Sequence, residues 1–244
     1  MSSSATQRLL PVDLLRGGAI VLMFIYHFCF DLNYFGYVAF RFNTDPAWIN
    51  FRILIVSLFL FTVGISLQLA HGRQWRPDAF YRRLALVAGA ALLVSLSSYT
   101  MYPKTMIWFG ILHFIALAGL LGLLLLRFYY LNLLLGVLVI LAFHNLEHPF
   151  FDQPALQWVG LMTRRPQTED YVPLIPWLAP MLFGLFAGRW IINQTTLPGW
   201  LTFRSTHPVL TTLAFGGRHS LLIYLLHQPI FLGMLYLVSR VIKP

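Results

Sequence analysis

Residues 8–31 read RLLPVDLLRGGAIVLMFIYHFCFD, and this stretch decides the fold class. It is long and apolar enough to cross a bilayer, yet it carries Asp13, Arg16, His27 and Asp31. At about 100° per residue, Asp31 returns to the angular position of Asp13, with His27 about 40° and Arg16 about 60° to one side. Four ionisable groups therefore share one face of a membrane helix. An unpaired charge in hydrocarbon costs roughly 3 kcal/mol or more. The stripe is therefore expected to face protein or a water-filled cavity, and it is the first place to look for function.

The rest of the chain has the same character. Of 244 residues, 58% are hydrophobic and 10% charged, with mean hydropathy +0.71; a soluble domain carries roughly 25% charged residues. Apolar segments run near 11–31, 51–70, 82–100, 106–126, 129–143, 173–192 and 218–239. The expected fold is all-α, a polytopic membrane helix bundle of about seven transmembrane helices, with residues 1–244 as a single integral-membrane domain. The N-terminal MSSSATQR is short and polar, and no small-residue cleavage site follows the apolar run, so the first span is expected to stay in the mature protein.

The formal net charge is +9. The basic residues are spread between the apolar segments, which fits membrane topology and anionic lipid rather than nucleic acid. With the N-terminus inside, ten Arg residues fall on the inner side and seven Lys or Arg on the outer. The cluster Arg73, Arg76, Arg82, Arg83 lies on the inner side, and the loop 144–172, with four of the eight acidic residues, on the outer. Cys29 is the single cysteine, which excludes an intrachain disulfide and a cysteine-based metal site.

Several groups could carry chemistry. His27 and Asp31 are one helical turn apart and can meet; a carboxylate beside an imidazole is the orienting half of a general-base arrangement. Asp13 and Arg16 can pair at i,i+3, and Gly17 and Gly18 permit a close approach by another helix or a ligand. His113 is the only ionisable residue of the fourth segment. Ser220, Tyr224, His227 and Gln228 share one broad face of the last, where they could line a polar cavity or join helices. Gly184 and Gly188 read as a packing face. The loop HGRQWRPDAFYRR combines Arg73, Arg76, Arg82 and Arg83 with Trp75, Phe80 and Tyr81, which suits either an anionic lipid surface or a nucleotide with its phosphates. No metal is expected, although His144, Glu147 and His148 have a ligand-like spacing.

The order R-x(4)-D-x-x-R-G with a far-end H, carried here by Arg8, Asp13, Arg16, Gly17 and His27, resembles the transmembrane acyltransferase superfamily. Within it, the chain resembles the heparan-alpha-glucosaminide N-acetyltransferase catalytic domain in its small bacterial form. DPAWINFRILIVSLFLFTVGISL, FGILHFIALAG and PLIPWLAPMLFGLFAG resemble further helices of that branch. The resemblance implies transfer of an acetyl or other short acyl group from cytoplasmic acyl-CoA, acetyl-CoA being the co-substrate. The acceptor would be an envelope sugar or glycan on the outer side of a bacterial inner membrane, and a homodimer is possible. It implies His27 as catalytic histidine, Asp31 as its partner, and Asp13 and Arg16 within the site; His113 is a further candidate from its own place in the fourth segment. Arg8, Arg73, Arg76, Arg82 and Arg83 would serve the donor end and the CoA phosphates. Where the lysosomal member has a histidine before its second helix, this chain has Asp45, so direct transfer with His27 as general base is expected.

Two other classes fit the intramembrane charges less well. A proton-coupled transporter of small molecules or lipid-linked sugars would also place ionisable groups in spans, but no internal repeat or matched pair of broken helices is present. A haem carrier could use His27, His113 and His227, but needs no Asp13/Arg16 stripe.

Overall fold

The computed structural model describes residues 8–242. The polar N-terminal heptapeptide and Lys243, used above for the leader and the charge balance, lie outside the described residues. The α-helices among the described residues are α1 (Leu10–Tyr34), α2 (Pro46–His71), α3 (Pro77–Met101), α4 (Ile111–Leu125), α5 (Tyr129–Asn145), α6 (Leu174–Asn193), α7 (Gly199–Thr202), α8 (Pro208–Arg218) and α9 (Ser220–Ile242). Short 3-10 turns cover Pro149–Asp152 and Gln157–Val159. The all-α expectation holds.

Five helices, α1, α2, α3, α6 and α9, are long and apolar enough to cross a membrane. α4 and α5 are apolar but have 15 and 17 residues, about 22 and 26 Å of helix against a hydrocarbon core of about 30 Å. The expected segment 106–126 is shortened because the chain turns at 106–110 and the helix starts after Gly110. At α2 the helix starts earlier than expected: Asp45 Oδ1 accepts the backbone N–H of Ala47 at 2.8 Å and Pro46 occupies the first helical position. This is an N-cap followed by N1 proline. Pro77 likewise occupies the first helical position of α3, there without a side-chain cap.

Chain contacts group the protein into two compact units, Leu60–Leu197 and Arg8–Phe59 with Pro198 onward, so α2 contributes to both. In the first unit the later part of α2 meets α6 through glycine. A Cβ on Gly64 would overlap the Met181 carbonyl, and one on Gly184 the Phe61 carbonyl. Gly188 lies against Gln68, so the Gly184/Gly188 face is used for packing. Leu126, Leu182 and Leu185 form a buried core with Leu67, Leu123 and Leu135 packed on it. Gln68 is fully buried and donates to the Leu126 carbonyl at 3.2 Å, which ties α2 to the end of α4. Gly136 of α5 faces the Phe183 ring, and Tyr129 stacks on Phe186 with ring centroids 4.5 Å apart.

In the second unit α1 packs against α8 and α9. A Cβ on Gly17 would overlap the Leu213 carbonyl, and one on Gly217 the Asp13 carbonyl; the close approach expected at Gly17 is thus made by α8. Gly18 meets nothing within 4 Å. Further along, Phe24 and Phe28 pack edge-on to Phe231 of α9 at 5.4 and 5.6 Å. Tyr26 meets Phe42, Trp48 and Phe51.

The segment 146–173 is ordered by side-chain hydrogen bonds. Asp152 Oδ1 accepts the backbone N–H groups of Thr163 and Arg164 at 2.7 and 3.1 Å, and Oδ2 accepts the Thr163 hydroxyl at 2.7 Å. The Thr163 hydroxyl bond, with the two backbone bonds, holds the Asp152 carboxyl below the usual carboxylate range. A depressed carboxyl contributes stability above its unfolded pKa, and loses it as pH falls through the lower folded value. The protection factors against hydrogen exchange at the Thr163 and Arg164 amides should therefore be high at neutral pH and fall as the pH drops below the ordinary carboxylate range. Asp152→Asn should give the low protection factors already at neutral pH.

Candidate functional site

The expected stripe on α1 faces protein. Asp13 is 6% exposed and Asp31 1% exposed, and Gly17, Ile20 and Met23 between them are buried. Arg16 and His27 are half-buried.

At the start of the helix, Arg16 Nη1 lies 3.8 Å from Asp13 Oδ1, so the i,i+3 pair forms, and Arg8 Nε lies 3.6 Å from Asp13 Oδ2. Arg16 also donates to the Gly217 carbonyl at 3.2 Å. That carbonyl belongs to the last turn of α8, where backbone dipoles leave partial negative charge and a cation is favoured. The close glycine contact brings the carbonyl within reach of the guanidinium, and so Asp13, Arg16 and the end of α8 form one polar knot. The Arg8 side chain is 70% exposed.

At the other end, the expected pairing of His27 with Asp31 is replaced. Asp31 Oδ1 accepts from Gln228 Nε2 of α9 at 2.7 Å, and its Oδ2 has no partner. Among the described residues no hydrogen bond joins His27 to Asp31. The neighbour of His27 is instead His227 of α9, with ring centroids 4.9 Å apart and planes at 65°. Phe24 stacks on the His227 ring at 5.8 Å and Phe231 packs edge-on to it at 6.0 Å. Two imidazoles, a carboxylate and a carboxamide therefore meet where α1 and α9 face each other. The polar face noted on α9 supplies half of this cluster. Its fit to α1 is a long-range contact that helical spacing within one segment does not reveal.

His113 is held by its own surroundings, in the other unit. Its Nδ1 accepts the Gly110 backbone N–H at 3.3 Å, so Nε2 carries the proton. Nε2 lies 3.0 Å from the Ser95 hydroxyl, which donates its own hydrogen to the Ile107 carbonyl at 2.7 Å. Both ring nitrogens are occupied, and the ring ties the start of α4 to α3. Ser95→Ala should leave a partly buried N–H without an acceptor and cost about 1 kcal/mol or more of stability, read as a lower thermal midpoint in detergent. The same occupancy leaves His113 no lone pair for haem iron.

The basic residues are dispersed. Arg73 donates to the Ile192 carbonyl near the end of α6 at 2.9 Å. Arg76 and Arg82 are exposed. Arg83 lines a cleft of about 60 Å³ with Ser66, Phe80 and His71; His71 is 8% exposed and its Nδ1 has no partner. The metal-like spacing of His144, Glu147 and His148 dissolves, because α5 ends at Asn145 and His148 lies beyond it. His144 is bonded to Ile140 O and His148 to Phe150 N. Among the described residues no group of three His, Cys, Asp or Glu is placed to hold a metal.

Two contributors were not expected from the sequence. One is Asp45, which caps α2. The other is α8, which offers both Gly217 and its carbonyl to α1. Its signals were Pro208 at the first helical position and the Gly216–Gly217 pair.

The family model described as heparan-alpha-glucosaminide N-acetyltransferase, catalytic, matches residues 8–229. No curated protein and no solved structure matches the chain.

Proposed function

Because the chain belongs to the heparan-alpha-glucosaminide N-acetyltransferase catalytic family, an acetyltransferase family, and carries five helices fit to cross a membrane, we propose that it moves an acetyl group from acyl-CoA to an envelope sugar across the membrane. On this reading the N-terminus is inside, α4 and α5 complete seven crossings, and the protein is one catalytic domain of a bacterial inner membrane. Crossing by α4 and α5 requires local thinning of the bilayer or help from their flanking loops.

The observation that carries the proposal is the buried polar cluster at the end of α1, in a helix whose other end holds the Asp13–Arg16 knot. Hydrophobic burial alone gives no reason to place two imidazoles and a carboxylate there. General-base catalysis gives one: His27 removes the proton of the acceptor hydroxyl or amine as it attacks the thioester carbonyl. The carbon–sulfur bond breaks, and the CoA thiolate takes that proton back from the imidazolium. Arg8, Asp13 and Arg16 serve the donor end. Along α1, about 16 Å separates Arg16 from His27 at 1.5 Å per residue, a span the thin pantetheine arm can cover. Arg73, Arg76, Arg82 and Arg83 are proposed contacts for CoA phosphates. His113, with both nitrogens occupied, is assigned to architecture.

Purified protein incubated with acetyl-labelled acetyl-CoA and envelope fractions tests the proposal. Label in a glycan fraction, dependent on His27, is expected. Solute uptake into proteoliposomes without CoA, with no label transferred, would replace transfer by transport.

A further inference from the structure

Within the Leu60–Leu197 unit, α2, α3 and α4 line the cleft of about 60 Å³, room for about four methylene-sized groups. Its two ends differ. His71, the last residue of α2, and Phe80 and Arg83 in the first two turns of α3 form one end, with the His71 and Phe80 rings 5.6 Å apart. Val63 of α2 and Val87 of α3 lie about 12 and 10 Å further along their helices, and with Gly119 of α4 they line the apolar remainder. The polar end has hydrogens to give and no anion to take them. Arg83 is neither hydrogen-bonded nor ion-paired among the described residues, and the lining includes no carboxylate. Asp78, the acid nearest in sequence, is exposed and is likewise without an ion pair among the described residues. His71 is 8% exposed and makes no hydrogen bond among the described residues, its buried Nδ1 included. Ser66, also in the lining, spends its hydroxyl hydrogen on the Thr62 carbonyl at 2.6 Å. A guanidinium about 9 Å into a helix fit to cross a membrane is costly without a counter-ion, and a carboxylate beside it offsets that cost through charge-assisted hydrogen bonds.

We propose that this cleft binds a long-chain fatty carboxylate, its acid group at Arg83 and His71 and the first methylenes of its chain between Val63, Val87 and Gly119. The shape of the cleft chooses among anions. Free phosphate or acetate satisfies Arg83 but leaves the apolar length unfilled. A phospholipid phosphate is followed by glycerol and two ester groups, which would set polar oxygens against apolar walls in a space for one thin chain. A long-chain alcohol fills the walls and leaves Arg83 without a counter-ion. Trp75 packs on the His71 and Phe80 rings at 5.3 Å, and Trp75 and Tyr81 are 43% and 57% exposed. Exposed aromatic residues beside arginine mark the level of a membrane interface, where the acid group of a membrane-dissolved fatty acid resides. The inference goes beyond the transfer reading and does not need it. Where transfer occurs, Arg83 serves one anion at a time, and a bound fatty acid leaves the donor phosphates to Arg73, Arg76 and Arg82.

Binding of radiolabelled palmitate to the protein in phosphatidylcholine nanodiscs, corrected for empty discs, tests the site without turnover. The expected result is one saturable site per chain. Hexadecanol, which has the chain without the charge, and acetate, which has the charge without the chain, should each displace the label about tenfold less well or worse. Phosphatidylglycerol mixed into the disc, the lipid source of an anion, should leave the label bound. Arg83→Gln should weaken palmitate binding about tenfold or more and keep the thermal midpoint, since Arg83 has no partner to strand. Gly119→Leu keeps Arg83 and fills the cleft. A Cβ there would meet nothing within 4 Å, so α4 keeps its place, and palmitate binding should be lost at an unchanged midpoint. Absence of a saturable site, displacement by hexadecanol, acetate or phosphatidylglycerol equal to that by palmitate, or unchanged binding in Gly119→Leu or in Arg83→Gln would overturn the proposal. A protein that binds palmitate in this way and transfers no acetyl group would count against the transfer reading alone.

Discussion

His27→Ala should lower acetyl transfer by about 10²–10⁴-fold, the range a positioned general base contributes, while the protein stays folded and membrane-inserted. The fold tolerates the loss for a structural reason. His27 is half-buried and, among the described residues, makes no hydrogen bond, so its removal strands no polar partner. Its aromatic contacts are with His227 at 4.9 Å and Tyr26 at 5.7 Å. Catalysis should not tolerate it, because the imidazole is the group that accepts the proton in the proposed step. Turnover is followed as CoA release and as label on the acceptor; folding is followed by gel filtration and thermal midpoint. A variant with parental turnover would remove His27 from the mechanism. His27→Phe sharpens the test, since it keeps a ring against His227 and should be equally inactive.

Gly217→Val should be the most damaging single change to the architecture around the site. A Cβ at this position would fall on the Asp13 backbone carbonyl and close to the Gly17 nitrogen, atoms that cannot rotate away. α1 and α8 must then separate, which breaks the Arg16 bond to the Gly217 carbonyl. Overpacking of this kind costs typically 1–3 kcal/mol and more when backbone must move, and the uncoupled Arg16 adds to it. The expected result is a lower thermal midpoint together with loss of transfer. Gly18→Ala is the matched control: a Cβ there would meet nothing within 4 Å, and alanine is the better helix former, so stability should hold or rise. Equal effects at the two positions would contradict the glycine-mediated contact between α1 and α8.

The α1 stripe was legible in sequence because it is long and periodic: four ionisable groups in an otherwise apolar span have few placements that avoid lipid. Asp13 with Arg16 was legible for the same local reason, the two being three residues apart on one helix. Asp31 shows where local reasoning stops. Spacing placed His27 one turn away, yet the carboxylate chose Gln228, 197 residues further along the chain. Helical periodicity says which face a residue occupies but not which helix will cover that face. His113 shows a second limit. Its partners, Ser95 and Gly110, with Ser95 itself bonded to the Ile107 carbonyl, are set by the turn that precedes α4, and the sequence offered an uninterrupted apolar run there. α8 lies between the apolar segments because its eleven residues include Thr211, Thr212 and two glycines. Length is the signal for a membrane span, and a short helix packed on α1 lacks it. Asp45 has a plain local meaning, Asp before Pro at a helix start.

Acetyl transfer across the bilayer through the α1–α9 cluster can be measured directly in sided proteoliposomes. Protein is reconstituted in known orientation, acetyl-labelled acetyl-CoA is added only on the face carrying the N-terminus, and glucosamine is enclosed on the other. Transfer as proposed gives labelled N-acetylglucosamine in the glucosamine compartment, intact acetyl-CoA retained outside it, and loss of the signal in His27→Ala. Label that never leaves acetyl-CoA, or transfer that persists undiminished without His27, would contradict it.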